Sequence, residues 1–279
     1  MLTRLEFYAK LMRLHRPWPI LLILFPTYWG LFLGPNLPSL EDVLIFTVGA
    51  VLTRSAGCVI NDYFDRKIDG KVRRTQMRPL QLRVLHPREA IFLFLGLMAM
   101  AGLLLLLLKP EVILLGCIAF FLALFYPLAK RFTYFPQVVL GVAFNFGILM
   151  ADLQVSGQIS LLAWEYYGFA VLWTIHYDTL YALSDYQDDL KIGVKSIPTV
   201  FKTKVYTFLL LTSIFLVLGL MLIFNFSGAS ALRSIIVFVF SGFLSYQYWQ
   251  LLEHRESIGF KLFTQQVWVG LLILLGVLF

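Results

Sequence analysis

NDYFDRKIDGKVRRTQMRPL, residues 61–80, is an island of charge in a chain of 279 residues of which 59% are hydrophobic. It carries Asp62, Asp65 and Asp69 beside Arg66, Lys67, Lys71, Arg73, Arg74 and Arg78. Asn61, Asp65 and Asp69 step by four, which predicts that they fall near one face of a helix. Acids at that spacing repel one another unless a positive charge sits among them. A hard divalent cation such as Mg²⁺ fits, because it takes oxygen ligands and shares a few carboxylates with phosphate oxygens.

A second acidic stretch answers the first. DYQDDLKIGVKS, residues 185–196, places Asp185 and Asp189 one helical turn apart, with Lys191 and Lys195 close behind. Each stretch ends a long apolar run and precedes a basic loop. Two acid-rich motifs flanked by Lys and Arg suit a polyanion held through metal, and a diphosphate has that character.

The rest of the chain presents these stretches. A mean hydropathy of +0.80 with only 14% charged residues belongs to a polytopic helical membrane protein and excludes a soluble globule. Nine spans are expected: 17–33, 40–60, 90–108, 111–129, 136–151, 161–183, 205–226, 232–252 and 264–279, each near the length a bilayer requires. Arg4, Lys10, Arg13 and Arg16 precede the first apolar run, and no small-residue cleavage site follows it, so no cleavable signal is expected. Cys58 and Cys117 lie in apolar runs and read as small buried residues.

Orientation follows from the basic residues. With nine spans, 20 of the 23 Lys and Arg fall on one side, Arg54 lies inside a span, and only Lys109 and Arg233 are left for the other. The positive-inside rule then places the N-terminus in the cytoplasm and the C-terminus outside. Both acidic stretches share the cytoplasmic side. The net charge of +7 is accounted for by this bias and by anionic lipid, so no nucleic-acid partner is invoked.

Taken alone, either acidic stretch could be a solvated loop. Two further residues weigh against that. Arg54, seven residues before Asn61, shares its helical face within the apolar segment, and an intramembrane arginine usually has a partner or a ligand. Asp178, beside His176 and Tyr177, makes a polar patch seven residues before Asp185. No His/Cys constellation, Ser-His-Asp set or glycine-rich phosphate loop is visible.

Four ordered motifs carry a resemblance: NDYxDRKxDG from Asn61, RTxxRPL from Arg74, YPLAKRFTYxPQVVLG from Tyr126, and YDTxYALxDxxDDxKIGVKS from Tyr177. Together they resemble the UbiA-type intramembrane prenyltransferases, and the likeness runs from about Arg13 to the C-terminus. It implies one all-α membrane domain over residues 1–279: nine transmembrane helices around a central cavity with a cytoplasmic cap, in the inner membrane of the cell. Asn61, Asp65, Asp69, Asp185 and Asp189 would hold Mg²⁺ ions bridging a polyprenyl diphosphate. Lys67, Lys191 and Lys195 would bind phosphate, while Arg54, Lys130, Arg131 and Asp178 would serve the substrate site. The implied reaction moves the polyprenyl group to the ring of 4-hydroxybenzoate, ortho to its hydroxyl, an early step of ubiquinone biosynthesis.

Two departures stand in the first loop. Met77 replaces the asparagine common before Arg-Pro-Leu, and Gln81-Leu82-Arg83 replaces Pro-Ser-Gly. A naphthoate, homogentisate or haem acceptor is the alternative within the family. A transporter is the alternative outside it, disfavoured because the acids cluster at one end of the spans rather than near the midplane.

Overall fold

The computed structural model describes residues 3–67, 69–228 and 230–279, apart from the side chains of Lys71, Lys130 and Arg131. The described residues form helices and turns, with no strand among them. In chain order the helices are α1 (Arg4–Leu11), α2 (Trp18–Phe32), α3 (Leu40–Phe64), α4 (Pro87–Leu105), α5 (Pro110–Phe132), α6 (Pro136–Phe144), α7 (Phe146–Ser156), α8 (Leu161–Leu183), α9 (Tyr186–Ile192), α10 (Ile197–Phe201), α11 (Val205–Phe226), α12 (Ala231–His254) and α13 (Gly259–Leu278).

By length and apolar composition, six stretches qualify as membrane spans, and α2 is a shorter apolar helix. The last stretch, Ala231–Leu278, contains both α12 and α13, joined through a short 3-10 turn. α8 matches the expected sixth span end to end, but it lies outside the six; besides Glu165 and Asp178 it carries His176 and several Tyr and Trp residues, which together keep its hydropathy low. The expected fifth span is two helices, α6 and α7, broken at Asn145. The amide of Asn145 donates to Gly141 O at 2.8 Å and to Thr174 Oγ1 at 2.9 Å. A side chain turned onto its own helix and onto α8 is a recognised origin of such a break.

The helix starts are written in the sequence. Ser39 and Asp42 form a reciprocal capping box at the head of α3, and His86 and Glu89 form another at the head of α4, with Pro87 at the first helical position.

One buried apolar cluster joins α2, α7, α8 and α13 with α11 and α12. Trp29 is fully buried with its ring centroid 5.5 Å from that of Trp173. Trp29 Nε1 donates to Gly270 O at 3.1 Å, and Trp173 Nε1 donates to Gln266 Oε1 at 2.7 Å. Both indoles therefore bury their polar edge against a partner, as a water-free interior requires. Gly30 lets α2 touch α7: a Cβ there would stand 2.3 Å from Ile148 O. Small residues at such crossings let backbones approach where lipid supplies no hydrophobic force between helices. The outer surface is apolar, with Phe92, Leu103, Leu114, Phe215 and Phe238 all exposed. That is the surface of a multi-pass protein bathed by acyl chains. Cys117 is exposed, contrary to the expected burial, whereas Cys58 is buried.

Candidate active site

The acidic stretches stand at the ends of two long helices. α3 stops at Phe64, and Asp65 is its C-cap. Only Asn61 and Asp65 therefore keep the expected helical phase, with Asn61 Nδ2 donating to Asp65 Oδ2 at 3.2 Å. Asp69 lies in a separate 3-10 turn, Asp69–Lys71. Asp65, Asp69 and Gly70 are poor helix formers, which favours an end to the helix here. Thr75 Oγ1 donates to Asp69 O at 2.7 Å and folds the loop back on itself.

The second stretch has its own geometry. α8 ends at Leu183, and Asp185 occupies the N-cap of α9. Asp189 lies one turn into α9 and is buried. Gly193 closes that helix at φ 71°, in the left-handed region that glycine adopts without strain.

Both stretches face one cavity of about 1230 Å³. Asn61, Asp65 and Asp69 line it from one side, and Asp185, Asp189 and Lys195 from another. Deeper in the bundle Arg54, Tyr126, Tyr177 and Asp178 complete the polar lining. Much of the remainder is apolar, supplied by α2, α4, α5 and α13.

Two arginines of the loop after α3 tie the acids together. Arg74 donates to Asp185 Oδ1 from Nε at 2.9 Å and to Oδ2 from Nη2, and its guanidinium lies 4.4 Å from the ring centroid of Tyr181. Arg78 Nη1 stands 2.5 Å from Asp69 Oδ2 and 2.9 Å from Asp62 Oδ1. The backbone N–H of Arg73 donates to Asp188 Oδ2 at 3.1 Å, a further tie between the two stretches. Burial pushes the Asp69 carboxyl up to about 6, against the pull of Arg78.

Arg54 differs from these. Its guanidinium lies 5.0 Å from the ring centroid of Phe144, and its buried Nε has no hydrogen-bond partner. Buried donors are normally satisfied, so this Nε at the cavity wall is a candidate ligand contact.

The structure does not gather every residue singled out in the sequence. Lys67 is exposed, and Lys191 is exposed with its Nζ 3.8 Å from Asp188 Oδ1; neither lines the main cavity. Long, strongly hydrated side chains at a rim go to water when no anion holds them. Lys130 and Arg131 sit in the last turn of α5 rather than after it, and their side chains lie outside the described residues. Arg13 stands in the sequence only as a charge of the basic N-terminal segment, while Asp62, Arg74 and Arg78 belong to the motifs NDYxDRKxDG and RTxxRPL without an assigned role. No local spacing pairs these arginines with particular acids.

The sequence profile of the UbiA prenyltransferase family matches residues 23–275. The chain belongs to that family. UbiA relatives extend the likeness over nearly the full length. The 4-hydroxybenzoate octaprenyltransferase of Azoarcus sp. is 43% identical over 98% of this chain and 96% of its own. That of Saccharophagus degradans is 40% identical over 97% and 91%. Among solved structures, an apo UbiA homolog from Aeropyrum pernix K1 superposes with a TM-score of 0.82 at 25% identity, covering 92% of this chain and 96% of that one. A UbiA homolog from Archaeoglobus fulgidus, bound to DMAPP and Mg²⁺, shares the fold at a TM-score of 0.71 and 18% identity, covering 94% and 98%.

Proposed function

We propose that this protein transfers a polyprenyl group from polyprenyl diphosphate to the ring carbon of 4-hydroxybenzoate ortho to the hydroxyl. The observation that carries the proposal is the meeting in one cavity of a UbiA chain of both acidic stretches and Arg54, whose Nε has no hydrogen-bond partner. The names of its full-length relatives point to the same acceptor.

The donor set fits a hard divalent cation. Asn61, Asp65, Asp69, Asp185 and Asp189 offer only oxygen ligands, the chemistry Mg²⁺ selects. Among the described residues no group of three His, Cys, Asp or Glu could hold a metal by itself, so oxygens of the diphosphate would have to complete the coordination. When bound, Mg²⁺ would offset the charge that develops on the leaving diphosphate.

The chain's own residues do the rest. Arg74, Arg78 and Lys195 supply further positive charge at the diphosphate end. Arg54 grips the acceptor carboxylate, and Asp178 on the same wall belongs to the acceptor end. The ring then attacks the allylic carbon as its C–O bond to diphosphate breaks, and loss of the ortho proton restores aromaticity. The apolar walls exclude water, which would otherwise capture the allylic cation.

For the membrane arrangement, we propose one domain with nine crossings: α2, α3, α4, α5, the α6–α7 pair, α8, α11, α12 and α13. The loops carrying the acidic stretches form a cap on the cytoplasmic side. The N-terminus is cytoplasmic and the C-terminus lies across the inner membrane, in keeping with the distribution of Lys and Arg. Incubation of membranes containing the protein with 4-hydroxybenzoate, octaprenyl diphosphate and Mg²⁺, followed by mass analysis, tests the reaction. The expected product is the acceptor plus one prenyl chain minus one hydrogen, and its absence with active prenylation of a naphthoate or homogentisate would reassign the acceptor.

A further inference from the structure

Asp62 follows Asn61 directly, yet it takes no part in the row formed by Asn61 and Asp65. It is 1% exposed. Arg13 Nη2 donates to its Oδ1 at 2.9 Å and to its Oδ2 at 3.1 Å. Arg78 Nη1 stands 2.9 Å from the same Oδ1 and 2.5 Å from Asp69 Oδ2. Both oxygens of Asp62 are therefore engaged by guanidinium, and Arg78 is shared with Asp69.

The backbone at Arg13 adds an independent observation. Arg13 has φ 61° in the turn between α1 and α2. A non-glycine residue holds that conformation at a cost, and it persists where surrounding contacts over-determine it. The contact available here is the two-oxygen grip on Asp62. A buried carboxylate with two guanidinium partners is also strongly constrained, because removing its charge leaves two partly buried cations facing each other.

We infer that Asp62 is a positioning residue: it seats the α1–α2 turn through Arg13 and sets Asp69 through Arg78, so that the diphosphate end of the cavity is preformed. This rests on the assignment of the acidic cavity to metal-bound diphosphate. Asp62 lines the same cavity, but Arg13 and Arg78 already occupy both its oxygens, so its role is to position those arginines rather than to ligate. Its loss should impair use of the diphosphate while sparing the acceptor, whose expected partner Arg54 lies two turns away on α3.

The test compares Asp62→Asn, Arg13→Gln and the double variant in purified protein. Asp62→Asn should raise the KM for polyprenyl diphosphate and the half-saturating Mg²⁺ concentration about ten-fold or more, with the KM for 4-hydroxybenzoate within twofold of wild type. Binding of Mg²⁺ with inorganic diphosphate, measured by calorimetry, should weaken in parallel. Arg13→Gln should shift the same parameters in the same direction, and the double variant should be no worse than Asp62→Asn, since both act through one contact. Limited trypsin digestion needs no ligand: cleavage after Lys10, Arg73 or Arg74 should speed up in both single variants. Should Asp62→Asn not fold, Arg13→Gln removes a single arm and carries the same expectations. Wild-type values for diphosphate and Mg²⁺ in a folded variant overturn the inference, as does a loss shared equally by donor and acceptor. If Asp65→Ala leaves turnover intact, the diphosphate reading fails, and the trypsin pattern still decides whether Asp62 seats the two segments.

Discussion

Arg74, in the loop that follows α3, grips Asp185, at the head of α9, through Nε and Nη2 together. One guanidinium thereby joins two acidic stretches separated by 111 positions in the chain. The fork of a guanidinium matches a carboxylate, which a lysine cannot reproduce. We expect Arg74→Met to lower stability by about 1.5–3 kcal/mol, the usual contribution of a charged hydrogen bond, and Arg74→Lys to recover part of it. Thermal unfolding in detergent measures both, and an unchanged midpoint in Arg74→Met would show the pair to be incidental.

Turnover should require the acids of both stretches. Asp65→Ala or Asp185→Ala is expected to lower kcat by about 10²–10³-fold, the scale found when one preorganised electrostatic partner is removed. Insertion and folding should survive, because these acids line the cavity and fill little of the core. Near-normal rates in either folded variant would contradict the two-motif arrangement.

Chelation gives the matching prediction. Excess EDTA should abolish turnover, and added Mg²⁺ should restore it. Asn61→Leu should raise the Mg²⁺ concentration needed for half-maximal rate, by removing an oxygen donor from the set. Full activity in metal-depleted membranes would remove Mg²⁺ from the account.

Arg54 and Arg131 make separable forecasts. Arg54→Gln should raise the KM for 4-hydroxybenzoate by roughly 10–100-fold, the equivalent of about 1.5–3 kcal/mol for a charged hydrogen bond, with the KM for polyprenyl diphosphate little changed. Arg131→Ala is expected to weaken acceptor use by a similar factor if its side chain grips the carboxylate, and Arg131→Lys to recover part. If instead it binds diphosphate, the donor KM rises. Varying each substrate in turn distinguishes the two, and values within twofold for both leave Arg131 a topology anchor.

Gly30 tests the packing behind the site. A methyl at this position would meet Ile148 O at 2.3 Å, so Gly30→Ala must push α2 from α7. Overpacking of this kind costs about 1–3 kcal/mol. A lower unfolding midpoint is expected, whereas an unchanged one would mean that the two helices part freely.

Composition and periodicity were enough to establish a helical membrane protein. Apolar runs of spanning length can satisfy their backbones only as helices, so α8 and α11 were readable end to end. The acids were legible as well: Asn61, Asp65, Asp185 and Asp189 announce themselves by residue type and by a spacing that one helical turn enforces. The four-residue rule failed where the helix itself stopped. Phe64 ends α3, and Asp69 reaches the cavity through a loop held by Thr75 and Arg78.

Pairings between distant segments were decided by the tertiary structure alone. Local pattern reports which side of a helix a residue occupies, but not which of many equivalent cations meets it. Arg66, Arg73, Arg74 and Arg78 are alike in sequence, yet Arg74 reaches Asp185 and Arg78 bridges Asp62 to Asp69. The break at Asn145 was hidden for the same reason, since its partner Thr174 belongs to another helix. Short-range spacing is set by backbone geometry and can be read along the chain. Ion pairs across the cavity depend on how whole helices pack, and that is decided only when every element competes for the same interior.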